Sequence, residues 1–314
     1  DKRYCADTSV LTAADAAAEG RKQRWKKSVE SKKRGREMID RLIDGIRTKK
    51  NPTVAGLDPT LDMIPEYLKE EYFGEYGMTP EAAGRLFERF NKEIIDEIFD
   101  IVPAVKPQIA MYEKFGIEGL KAYNETCRYA RSKGLLVIGD IKRGDISSTA
   151  SAYAAHLGGA QIGEHIEETW IEDAVTLNPY MGSDGIRPFL DICAGGDKGI
   201  FLLVKTSNPS SSEMQDLLLA DGRRVYEAAG QLVETGGAEA MGSGSYSNVG
   251  AVVGATHKEE GTRLRSQMPH TFFLVPGYGA QGGTAEDIVG FFDKNGVGAV
   301  VNSSRGITAA YKKD

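Results

Sequence analysis

Two acids and a base lie within six residues of one another in the stretch LLVIGDIKRGDISSTA, residues 135–150: Asp140, Lys142 and Asp145. The stretch opens on a short run of Leu, Val and Ile, which reads as a strand buried on both faces. Side chains along a strand alternate faces, so Asp140 and Lys142 project to one side and Ile141 to the other. Gly144 then ends the strand, and Asp145 stands at the N-cap position of a helix-compatible run from Ile146 to Leu157. Gathered at one strand-to-helix turn, such groups suit general acid–base or electrostatic catalysis. The same spacing also occurs in a solvated ion pair beside a plain N-cap, so the rest of the chain has to separate the two.

A second lysine points the same way. Lys106 sits inside an apolar strand candidate and is followed at once by Pro107. Burying a lone ammonium is costly, and Asp140 and Asp145 are the candidate partners. Lys106, Asp140, Lys142 and Asp145 would form an alternating array whose formal charges cancel, holding both lysines charged and in place. Lys205 is kept out of this site, with a neighbouring strand as its expected partner.

Two further motifs suit an anion. PGYGAQGGT (276–284) and NSSRGI (302–307) follow the last two strand candidates. Their glycines let main-chain N–H groups approach an anion closely, and Arg305 adds a forked charged donor. Turns alone, with Arg305 in a surface pair, are the plainer alternative.

These residues need a scaffold, and the pattern from Met38 onward supplies one. Strand candidates occur at 53–58, 101–112, 135–142, 173–180, 199–207, 250–256, 271–279 and 298–306, with amphipathic segments between them. Eight strand–helix pairs in succession predict an α/β fold of the closed (β/α)8 TIM barrel type rather than an open doubly wound sheet. No GxGxxG opens the first unit, so a dinucleotide fold has little support. In such a barrel, polar residues ending apolar strands converge on one mouth. The expected set is Asp58, Lys106, Asp140, Lys142, Asn178, Lys205, Ser207, Gln281 and Arg305. Connections 59–100 and 208–248 are long, and the Gly- and Ser-rich run EAMGSGSYSNVG reads as a mobile loop.

Composition sets the outer bounds. The 314 residues carry a net charge of −6 and are 41% hydrophobic, which argues against nucleic-acid binding through a basic surface. Cys5, Cys127 and Cys193 are far apart, without metal-type spacing, and suit a reduced cytoplasm. The four histidines show no metal pattern: His156 and His165 lie in a helical region off a common face, and His257 and His270 read as exposed. No run is long enough to span a bilayer. Residues 1–37, Ala-rich and then basic, read as an exposed N-terminal extension, with residues 38–314 forming a single barrel domain.

At this point a resemblance emerges. GLDPT with Asp58, VKPQ with Lys106, DIKRGDISSTA with Asp140, Lys142, Asp145 and Thr149, KTSNPS with Ser207, PGYGAQGG with Gln281, and SSRGI with Arg305 closely resemble the orotidine 5'-phosphate decarboxylase family in its longer bacterial form. The resemblance runs from about Met38 to the C-terminus. It implies a reaction free of cofactor and metal, in which orotidine monophosphate (OMP) loses CO2 to give uridine monophosphate (UMP). It further implies that Lys142 protonates C6 of the pyrimidine, that Asp140 faces the substrate carboxylate, and that Lys106 completes the array and contacts the ribose. Asp58 would bind ribose hydroxyls, Ser207 would read the pyrimidine edge, and Gln281, Ser304 and Arg305 would hold the phosphate. Asp145, Ile146 and Thr149 would reach the partner subunit's site, making a homodimer with shared active sites. The rivals are a magnesium-dependent phosphosugar barrel lyase, which shares the Asp-x-Lys-x-x-Asp pattern, and a non-catalytic barrel that binds a phosphoribosyl ligand.

Overall fold

The structure, a computed structural model, describes residues 37–279 and 282–313. The expectations for residues 1–36, Cys5 among them, and for Gln281 lie outside the described residues. From Glu37 onward the chain forms one unit, with strands β1 (Thr53–Leu57), β2 (Ala104–Pro107), β3 (Leu136–Arg143), β4 (Ala160–Ile162), β5 (His165–Glu167), β6 (Ala174–Leu177), β7 (Gly199–Lys205), β8 (Val249–Val253), β9 (Phe273–Val275) and β10 (Ala299–Ser303). Eight of them close a barrel in the order β1-β10-β9-β8-β7-β6-β3-β2, and each barrel pairing is parallel. This is the expected (β/α)8 TIM barrel, and each barrel strand overlaps one of the eight strand candidates.

The period-two rule divides the core into two layers. Val54, Ala104, Ile138, Ala174, Phe201, Val252, Leu274 and Val300 share one buried cluster with the helix Met38–Lys49. Their neighbours Ala55, Val105, Val137, Val175, Leu202, Ala251, Val275 and Val301 belong to the outer cluster, packed against helices such as Pro80–Ile98 and Gly116–Ser132. The helix Met38–Lys49 buries Met38, Ile39, Leu42, Ile43 and Ile46 on one face. It is held at the N-terminal ends of strands: Met38 N donates to Gly196 O at 2.7 Å, and Ile39 N to Asn248 Oδ1 at 2.9 Å. The helix therefore closes the floor, where each buried large apolar side chain contributes about 1.5–3 kcal/mol.

Three local expectations are corrected. The Gly- and Ser-rich run read as a mobile loop is tied down at the floor. Met241 bridges Ser247, Tyr246 and Asn248 are buried, and Ser243 N donates to Asp40 Oδ2 at 2.9 Å. His165 is not helical, because the helical run stops at Gly158 and Gly159 takes φ +78°. The chain then forms the antiparallel β4–β5 hairpin, inserted between two barrel strands, with His165 exposed on it. Finally, Asp145 is not the N-cap: the helix Ser147–Tyr153 is preceded by Ile146, whose N–H donates to Asp145 Oδ1 at 2.7 Å.

Candidate active site

Asp140, near the C-terminal end of β3, is the centre of the barrel mouth. One carboxylate oxygen, Oδ2, accepts from Lys106 Nζ at 2.6 Å and Gln108 Nε2 at 2.9 Å. The other, Oδ1, accepts from Lys142 Nζ at 2.5 Å and Thr176 Oγ1 at 2.8 Å. Four donors from three strand ends occupy the four acceptor sites that a carboxylate offers. Lys106 also lies 4.0 Å from Asp58 Oδ1, a buried oxygen without a hydrogen-bond partner among the described residues. Asp58 thus stands beside Lys106 where the sequence suggested Asp145.

Electrostatics keep this cluster ionised. Burial by itself raises the Asp140 carboxyl pKa, but the Lys106 and Lys142 charges outweigh it and hold the group well below the usual carboxylate range. For Lys106, burial pulls the ammonium pKa down, and the Asp140 and Asp58 charges reverse this to a net rise. The two lysines differ in access: Lys106 is buried, whereas the Lys142 side chain is 43% exposed.

Lys142 is also strained. Its φ is +46°, one of two positive values for a non-glycine residue among the described residues, and the β3–β6 register shifts between Gly139 and Arg143. A β-bulge of this kind re-aims side chains beside active sites. Here Lys142 N donates to Thr176 Oγ1 at 3.0 Å, so one hydroxyl anchors both the strained backbone and the Asp140 carboxylate.

The remaining candidates divide by position. Asp145 is partly buried and makes no ion pair among the described residues, Ile146 is 52% exposed, and Thr149 follows on the helix Ser147–Tyr153. Ser207 lies partly buried just beyond β7. Ser304 and Arg305 follow β10, with Arg305 exposed and Ser304 Oγ accepting from Asn302 Nδ2 at 3.2 Å. The glycine-rich turn after the adjacent β9 closes through a Tyr278–Gly283 bridge and a Gly279 N to Gly283 O bond of 2.9 Å.

Sequence reasoning gave no role to Gln108 and Thr176, although both bind Asp140. The available signal was parity: Gln108 lies two residues beyond Lys106 on the second strand candidate, and Thr176 interrupts the apolar run AVTL two residues before Asn178. Among the described residues, no three His, Cys, Asp or Glu side chains converge as a metal-ligand set.

Comparison with known proteins addresses the family. The model of the orotidine 5'-phosphate decarboxylase / HUMPS family matches residues 80–314. The chain belongs to this family. It is 47% identical over 277 residues to the orotidine 5'-phosphate decarboxylase of Clostridium tetani, covering 88% of this chain and 90% of that one. The corresponding enzyme of Petrotoga mobilis is 46% identical over 276 residues, at 88% and 89% coverage. Among solved structures, Leishmania donovani OMP decarboxylase matches at a TM-score of 0.67 and 31% identity, covering 88% of this chain and 95% of that one. The span matched by the orotidine 5'-phosphate decarboxylase family model holds Lys106, Asp140, Lys142, Asp145, Ser207 and Arg305, whereas Asp58 precedes it. No helix among the described residues is long and apolar enough to cross a membrane.

Proposed function

We propose that this protein decarboxylates orotidine 5'-monophosphate to uridine 5'-monophosphate in pyrimidine biosynthesis, using its own side chains without cofactor or metal. The observation that carries the reading is a single carboxylate, Asp140, holding one buried and one accessible lysine at the mouth of a family-matched barrel. Losing CO2 leaves an electron pair on C6 that the pyrimidine ring does not delocalise, so fixed charge has to stabilise it. Two unit charges 4 Å apart interact by about 4 kcal/mol at an effective dielectric near 20. The substrate carboxylate, set toward Asp140, is repelled, while the accessible Lys142 ammonium attracts the developing carbanion. As the C6–carboxylate bond breaks, its electron pair stays on C6 and takes a proton from Lys142 Nζ; water then restores the ammonium. Lys106, buried between Asp140 and Asp58, keeps Asp140 ionised and reaches the ribose with Asp58.

At the other end of the substrate, Ser304 and Arg305, with Gln281, hold the phosphate, whose remote binding energy aligns the ring. Ser207 reads the pyrimidine edge. The enzyme works as a homodimer in which Asp145, Ile146 and Thr149 of each subunit complete the other's site. In support, Asp145 has no ion pair among the described residues and Ile146 is exposed. We assign the activity to the cytoplasm, whose reducing conditions suit the free, buried Cys127 and Cys193.

An absorbance trace of orotidine monophosphate incubated with the protein and EDTA tests this reading. Complete conversion to uridine monophosphate is expected. Turnover only of a keto-sugar phosphate and only with magnesium would assign the chain to a phosphosugar lyase, and uridine monophosphate binding without turnover would make it a ligand-binding barrel.

A further inference from the structure

Lys205 ends β7 with no exposed side-chain surface, yet it is not part of the charge array. Regular alternation would set it on the same side as Phe201 and Leu203, which pack with the inner cluster. A register shift against β8 between Leu203 and Lys205 interrupts that alternation. Lys205 Nζ instead donates to Asp216 Oδ1 at 2.7 Å and stands 5.5 Å from the centroid of the Tyr226 ring, on the helix Val225–Gly236. Asp216 lies in the connection that follows β7, so the ion pair folds this connection back onto its own strand.

Further bonds converge on Lys205 and on Thr206, the residue that follows it. Thr206 N donates to Gln215 Oε1 at 2.9 Å, and Gln215 Nε2 returns a bond to Thr206 Oγ1 at 2.7 Å. From the β8 side, His257 Nε2 donates to Thr206 O at 2.8 Å and Gly254 N to Lys205 O at 2.7 Å. Ser207, the next residue, packs onto Gly254 so closely that a Cβ there would lie 2.9 Å from Ser207 Cα. Beyond the end of the strand, side chains thus take over the main-chain pairing that the sheet no longer supplies.

We propose that Lys205, Gln215, Asp216 and His257 are positioning residues that fix the Ser207 hydroxyl for discrimination of the pyrimidine edge; this rests on the reading of Ser207 given above. A hydrogen-bonding side chain on a loop discriminates only if its support holds it to within about 0.5 Å, and a misplacement of about 1 Å can cost around 100-fold in rate. The clamp supplies that support from outside the pocket, without touching the substrate.

The test is a set of mutant cycles read as kcat/KM for orotidine monophosphate, with melting curves for every variant. Gln215→Ala and Asp216→Asn are made singly and each combined with Ser207→Ala. Each single variant is expected to lose about 10-fold or more in kcat/KM, and that loss should shrink to within about 2-fold in the Ser207→Ala background, because residues acting through one group are not additive. Asp216→Glu, which keeps the carboxylate, should recover part of the activity. If Ser207→Ala is impaired and the losses simply multiply, the clamp is wrong and the role of Ser207 stands. If Ser207→Ala matches wild type, the base-reading role fails and takes the clamp with it. Asp216→Asn strips a buried ammonium of its carboxylate; should it not fold, Gln215→Ala leaves that ion pair intact and carries the same test.

Discussion

A buried acid lies on each side of strand β3, and the two differ in their surroundings: Asp140 belongs to the strand itself, and Glu172 to the segment just before β6. At the mouth, Asp140 binds two ammoniums, one of which, Lys142, keeps a partly exposed side chain on a strained backbone. On the other side, Glu172 packs against Gly139 so tightly that a Cβ there would lie 2.3 Å from Glu172 Oε1. Glu172 accepts from the Tyr123 hydroxyl and pairs with His156 Nδ1 at 2.8 Å, and Trp170 stacks on His156 with centroids 4.5 Å apart. Glu172 has no exposed side-chain surface. Burial, reinforced by the Glu172 charge, pushes the Tyr123 hydroxyl pKa well up, so it remains a proton donor. The comparison separates a closed network from an open one: in both, each oxygen of the central carboxylate is hydrogen-bonded, but only the array at the mouth keeps a charged group on a partly exposed side chain, within reach of a ligand.

Four substitutions break or sharpen this contrast. Lys142→Ala should lower turnover of orotidine monophosphate by about 100- to 10,000-fold, the usual range for removing a positioned proton donor, while circular dichroism stays that of a folded barrel. A variant with near wild-type turnover would remove Lys142 from the chemistry.

Asp140→Asn comes next, because it leaves the buried Lys106 without its closest carboxylate; a loss of about 3–5 kcal/mol is expected from denaturant unfolding. The pH dependence gives the sign. The folded-state pKa of Asp140 lies below an unfolded value near about 3.9, so its stabilisation is complete above that value and disappears as pH falls toward the folded pKa. The stability gap between wild type and Asp140→Asn should therefore be flat at neutral pH and close progressively below about pH 4; a gap that widens on acidification would contradict the depressed pKa.

On the closed side, Glu172→Gln should cost about 1–3 kcal/mol of stability, the penalty for a disrupted buried network, with kcat changed by less than about 3-fold. A catalytic defect as large as that of Lys142→Ala would erase the distinction between the two sides.

The smallest effect concerns strain. Lys142→Gly and Lys142→Ala both lose the ammonium, but only glycine accepts φ +46° without a Cβ penalty. The glycine variant should be more stable than the alanine variant by about 1 kcal/mol, and equal melting temperatures would mean that the bulge is not strained.

Much of this was legible in the chain itself. The eight barrel strands follow from apolar runs at regular intervals, and the convergence of Lys106, Asp140 and Lys142 follows from their places near strand ends. Less legible was how Asp140 and Lys142 meet. Alternation alone would align them, yet the strand departs from regular register between Gly139 and Arg143. Thr176 and Gln108 went unassigned because an uncharged side chain on a strand does not demand an ionic partner as the buried ammonium of Lys106 does, although all three meet Asp140 across more than thirty residues of chain. The partner of Lys205 was expected on a neighbouring strand and is instead Asp216, in the connection beyond β7. The hairpin around His165 was hidden in a stretch whose residues do not oppose a helix until Gly158 and Gly159.

Taken alone, the sequence determined the layered barrel, because side-chain alternation and apolar burial are local properties written into every strand. Tertiary structure decided which buried charges face one another within the chain: Asp58 rather than its own Asp145 beside Lys106, and Asp216 rather than a residue of a neighbouring strand for Lys205. The physical reason is that a shift in register or the return of a loop redirects a charged side chain while leaving the hydrophobic pattern unchanged.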